Sequence, residues 1–89
     1  MRTDKKRKLV EEVMGRQYAL VGLTFDQVKA MSNEEFFKHR ITKEQSDEWE
    51  KWAVDYMAKK MRWSKAMSKR ELGWLDFQVG LSIEINQNQ

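Results

Sequence analysis

TKEQSDEWEKWAVDYMAKKM, residues 42–61, decides the fold. Thr42 stands three residues before Gln45. At that spacing a hydroxyl accepts from the third helical amide while the glutamine side chain returns to the N–H of the cap. Trp49, Trp52, Ala53, Tyr56, Met57 and Met61 then recur at helical intervals and form one apolar face. Glu44, Asp47 and Glu48 stand near the start and Lys59, Lys60 and Arg62 near the end, so both charge groups complement the helix dipole. The stretch predicts a long amphipathic helix at the centre of the domain.

Working outward, Thr24 with Gln27 and Ser32 with Glu35 repeat the cap spacing and predict two short helices. Phe25, Val28, Met31 and Phe36 turn inward from them. Before these, Val10, Met14, Gln17 and Val21 fall on one stripe, with Leu9, Val13 and Leu20 beside it. Asp4 reads as the N-cap of this first helix and Gly22 as its stop. Gly15 marks either an early end or a close-packing point. On the other side, a helix from about Ser64 to Val79 carries Met67, Leu72, Trp74, Leu75, Phe77 and Val79, and Gly80 is its natural stop. Ser68 to Glu71 offers a second, later cap. Leu81 to Ile85 alternates with the strand period. No other strand is legible, so the segment either stays extended or pairs with the same segment of another copy, making a homodimer. The fold class is all-α: one domain over residues 1–89, a small four- to five-helix unit with a short C-terminal extended strand. Residues 2–8 form a basic N-terminus and residues 86–89 a polar tail.

Composition removes whole classes of function. Eighty-nine residues support one core at most. Four Trp, two Tyr and four Phe require a dry interior. No cysteine is present, which excludes disulfides, thiolate metal sites and cysteine nucleophiles. No apolar run approaches the roughly 20 residues that span a bilayer. Met1 leads into charge rather than a signal sequence, so the cytoplasm is the expected compartment. His39 is the sole histidine, set between Lys38 and Arg40, which leaves paired-histidine zinc sites and catalytic triads without members. Glu44, Asp47 and Glu48, with Lys43 and Lys51 among them, fit a solvated face better than a metal site. Gly-rich phosphate loops, G-x-S-x-G and H-E-x-x-H are all absent. The expectation is a protein with no catalytic centre, no cofactor and no metal.

Charge is segregated along the chain, although the net value is only +3. Lys5, Lys6, Arg7 and Lys8 form one basic block; Lys59, Lys60, Arg62, Lys65, Lys69 and Arg70 form another. Such blocks suit a polyanion, and they also suit plain solvated helix faces. The first lies at the positive end of its helix dipole, a conflict with helix stability that an external anion would relieve. Trp63, between Arg62 and Ser64, is placed to stack on a nucleic-acid base, whereas Trp74 is assigned to the core. Major-groove reading by the two short helices is rejected, because Glu34 and Glu35 would lead the second helix into phosphate.

Thr42-Lys43-Glu44-Gln45-Ser46-Asp47-Glu48-Trp49, followed by Glu71-Leu72-Gly73-Trp74-Leu75-Asp76-Phe77-Gln78-Val79-Gly80-Leu81, resembles small accessory proteins of T-even-type tailed phages. The resemblance covers roughly residues 42 to 85. It implies a protein made in an infected bacterium, often one that binds and redirects a host factor, and it carries no site residues. Two functions follow. The first is a nucleic-acid-binding protein that uses the ten cations above and Trp63. The second is a modulator of a host protein that uses a Trp/Met surface, with Met67, Trp74, Phe77, Leu81 and Ile83 at the interface. Trp74 and Phe77 lie on a different face of their helix from Leu72, Leu75 and Val79, so that helix is expected to be covered on two sides. The rest of the domain, a second copy or a target protein would supply the second cover.

Overall fold

The computed structural model describes residues 2–84, with side chains from Asp4 onward. In chain order the elements are α1 (Arg2–Ala19), α2 (Phe25–Lys29), α3 (Asn33–Phe36), β1 (Arg40–Ile41), α4 (Lys43–Met61), α5 (Lys65–Val79) and β2 (Ser82–Ile83). The domain is mainly helical, as the apolar periodicity requires. No helix among the described residues is long and apolar enough to cross a membrane. The polar tail and Ile85 lie outside the described residues.

Local hydrogen bonds set most helix starts. Thr24 and Thr42 each complete a reciprocal capping box with Gln27 and Gln45. Ser32 and Ser64 cap from the hydroxyl side alone, accepting from the amides of Glu35 and Met67. Ser64 therefore opens α5. The later candidate, Ser68, is buried and donates instead to the Val54 carbonyl at 2.7 Å, binding α5 to α4. Asp4 lies inside the first turn of α1 rather than capping it. Gly15 does not end α1, and a Cβ there would meet Phe25 at an ordinary 4.0 Å.

α1 and α4 run antiparallel, and α5 returns alongside both. The core between them consists of Leu9, Val13, Met14 and Tyr18 from α1, Trp49, Ala53 and Met57 from α4, Leu72 from α5, Ile41 from β1 and Leu81 just before β2. The Trp49 indole donates to the Val13 carbonyl at 2.9 Å, so its one polar atom is matched in the interior. α2 and α3 close the far side, with Phe25 and Phe36 each 6.0 Å from the Tyr18 ring.

The expectation that the C-terminal segment has no partner strand within the chain is overturned. β2 pairs in parallel with β1, Arg40 opposite Ser82 and Ile41 opposite Ile83, and the Glu84 amide donates to the Ile41 carbonyl at 2.8 Å. A two-residue strand has no readable period, which is why β1 escapes a sequence pattern. Pairing between copies is therefore not needed to give this segment a partner strand, because β1 fills one edge of β2 from within the chain. Leu81, expected at an interface, is 5% exposed and belongs to the core. Its amide donates to the buried Gln17 Oε1 at 2.7 Å, and this bond turns the side chain inward. Gly80 ends α5 in extended geometry (φ −80°, ψ 156°), not in the left-handed cap. A Cβ there would lie 2.5 Å from the Asp76 carbonyl oxygen, so close approach is what requires glycine. The left-handed positions are Gly22 and Arg62.

Candidate nucleic-acid interface

The two basic blocks, more than fifty residues apart in sequence, meet at one end of the bundle. Antiparallel packing brings the start of α1 to the end of α4, and α5 begins there as well. Lys5 and Lys8 from α1 and Lys60 from α4 line a single groove with Leu9, Glu12 and Met61. Like charge converges there because the two helices carry their cations at opposite termini and run in opposite directions.

Their immediate partners divide the cations into two groups. Lys6 turns from that groove toward α5 and lies 3.8 Å from Glu71. Lys65 pairs with Asp55 at 3.4 Å. Both pairs are exposed, so each contributes little to stability. Lys5, Lys8 and Lys60 form no ion pair among the described residues, and Arg7, Lys59, Arg62, Lys69 and Arg70 are exposed. α4 rises about 1.5 Å per residue, so Glu44, Asp47 and Glu48 lie roughly 18–24 Å along the helix from Lys60. That exceeds a Debye length of about 8 Å at physiological salt, and the distant carboxylates do not neutralise the basic end.

Tyr56, which the sequence placed only as a core residue, organises this groove. Its hydroxyl donates to Glu12 at 2.8 Å, and that bond to a carboxylate raises the phenol above its ordinary range. The Lys60 ammonium stands 5.6 Å from the same ring. The ring holds Lys60 by its π face and engages Glu12 by its hydroxyl. Glu12 and Tyr56 are 44 residues apart, so no local spacing announced the pair. Farther along the same seam, the Arg16 guanidinium lies 4.3 Å over Trp52, whose ring stacks on Tyr56 at 4.9 Å.

The two tryptophan assignments are reversed. Trp63 is half-buried, packed on the core and lining a pocket of about 170 Å³ with Leu9, Val10, Val13 and Met57. Its position follows from Arg62, whose left-handed backbone (φ 58°) ends α4 and bends the chain back toward α1; the Trp63 amide donates to the Ala58 carbonyl. Trp63 therefore has no open face comparable to that of an exposed stacking platform. Trp74 is 61% exposed and Phe77 83%, their rings stacked at 6.3 Å on the outer face of α5. Met67 is half-buried, and Ile83 stands exposed on the short sheet.

Other chemistry finds little support in the geometry. His39 lies 3.9 Å from Glu35, a weak contact at a helix end. No group of three or more metal-ligating side chains occurs among the described residues. Comparisons of this chain with protein-family models, curated proteins and solved structures gave no match.

Proposed function

We propose that this is a non-enzymatic accessory protein whose basic end binds a nucleic acid, RNA or DNA, through phosphate without reading sequence. The observation that carries the proposal is the convergence of Lys5, Lys8 and Lys60 in one groove where none of them has an ion-pair partner among the described residues. Three ammonium groups on two helices fit a path of successive phosphates. The start of α1 adds the positive end of a helix dipole to the same place. The polar side chains lining the groove are three lysines and Glu12, with no amide side chain, which suits charge contact with phosphate more than the reading of base edges. The resemblance to small phage accessory proteins supports a setting in an infected bacterium.

Binding through three phosphates releases condensed counterions, so log K should fall with log salt at a slope of about −2 to −3. The test is fluorescence anisotropy of a labelled mixed-sequence oligonucleotide across a salt series, for the wild type and for the combined Lys5→Gln, Lys8→Gln and Lys60→Gln variant. The expected result is loss of most of the salt slope in the variant, with its helicity by circular dichroism unchanged. Equal slopes in the two proteins would remove the groove from consideration.

A further inference from the structure

We infer that the outer face of α5 is a self-association surface, on which a second copy of the chain packs its own α5 antiparallel across Gly73. Trp74 and Phe77 are the starting point: two large aromatics, 61% and 83% exposed and stacked on each other, on a helix whose opposite side already supplies Ser68 and Leu72 to the interior. Helical spacing sets Arg70, Gly73, Trp74 and Phe77 on this one outer face.

Two features commit the face to a second copy. One is Gly73. Glycine is the poorest helix former after proline, and here nothing in the chain lies within 4 Å of the place a Cβ would occupy. The fold of one copy therefore has no steric need for it, whereas a helix approaching closely beside Trp74 does. The other is the charge of α5. Lys65, Lys69 and Arg70 outnumber Glu71 in its first half, while its second half carries Asp76 and no cation. Antiparallel packing about Gly73 sets Arg70 of each copy over Phe77 of the other, a cation on an aromatic face, and opposes the two helix dipoles. Parallel packing would instead press two basic ends together. The antiparallel arrangement is isologous and closes as a dimer.

The four rings supply the centre of such a contact. Aromatic side chains bury about 150–250 Å² each, so four of them supply roughly 600 Å², half of the ~1,200 Å² at which stable interfaces begin. Arg70, Met67 and Gln78 flank the rings and extend the contact. The face is separate from the Lys5–Lys8–Lys60 groove, and the two basic ends would point outward at opposite ends of the dimer.

Sedimentation equilibrium of the full chain at high salt, where phosphate binding is suppressed, tests this inference. The wild type is expected to dimerise with rising concentration. The Trp74→Glu/Phe77→Glu variant should remain monomeric, its dimerisation weakened roughly hundredfold or more. Gly73→Gln keeps this proposal separable from simple misfolding: it should raise the melting temperature of the dilute monomer while weakening dimerisation at least about tenfold, because a better helix former fills the notch. A wild type that stays monomeric up to high concentration overturns the inference and assigns the face to a different protein. A dimer that survives both sets of substitutions also overturns it.

Discussion

At one end of the bundle, α1 and α5 are joined by matched polar atoms. The buried Gln17 amide donates to Asp76 at 2.9 Å while its carbonyl accepts the Leu81 amide at 2.7 Å, and Tyr18 donates to the Val79 carbonyl at 2.7 Å. At the other end the same α1 meets α4 through Lys5, Lys8 and Lys60, with Glu12 engaged by Tyr56 and no cation of the three in an ion pair among the described residues. Among the described residues no buried side-chain polar atom lacks a partner; the difference is that the first end bonds its polar groups inside, whereas the second holds Lys5, Lys8 and Lys60 in a groove open to water. A fold of this size needs only one end to be closed tightly, and the other is then free to carry charge that its own stability does not require.

Substitutions at the two ends should therefore differ in kind. The largest effect is expected from Gln17→Ala, which removes both bonds of the buried amide and leaves the Leu81 N–H without a partner. A loss of about 2–4 kcal/mol is expected in urea unfolding. If the loss is below 1 kcal/mol, the closed end is not what holds α5 and β2 in place.

Tyr18→Phe should cost less, about 1 kcal/mol at neutral pH, the usual worth of one hydrogen bond. Its effect carries a pH signature. Burial, and secondarily the Asp76 carboxylate, raise the Tyr18 phenol from 10.0 to about 12. A group with a raised folded-state value contributes its full stability below the unfolded value and loses it as pH rises through the folded one. The difference between wild type and Tyr18→Phe should thus be constant below pH 10 and shrink between pH 10 and about 12. A difference that stays flat across that interval would show that the phenol gains nothing from being neutral in the folded state.

The smallest effect on folding belongs to the basic end. Lys5→Gln and Lys8→Gln relieve repulsion from the α1 dipole, while Lys60→Gln gives up a favourable place at the end of α4. The combined variant should unfold within about 0.5 kcal/mol of the wild type, even as its affinity for nucleic acid falls. A thermal melt shifted well outside that range would mean that the lysines serve the fold rather than a ligand.

Much of this was legible in the residues. The caps at Thr24, Ser32, Thr42 and Ser64, the apolar stripe of α4 and the two charge blocks all depend on neighbours three or four positions apart, and such pairs meet whenever a helix forms. The separation of Trp74 and Phe77 from Leu72, Leu75 and Val79 was also legible from helical spacing, although which of the two faces stays exposed was not. The Trp63 assignment failed because one left-handed residue, Arg62, redirects the chain, and an arginine gives no warning of positive φ. The C-terminal strand itself was legible over Ser82–Ile83, but its partner was missed because Ile41 and Ile83 are joined only through the packing of everything between them.

By itself, the sequence determined that the chain is helical, where most helices begin, and which segments carry which charge, since these depend on local hydrogen bonds and on composition. Tertiary structure alone decided which of Trp63 and Trp74 packs on the core, that the last strand pairs within the chain, and that three lysines from two distant segments share a groove. Those outcomes depend on the relative direction of α1 and α4, and helix direction is fixed by long-range burial rather than by any short pattern of residues.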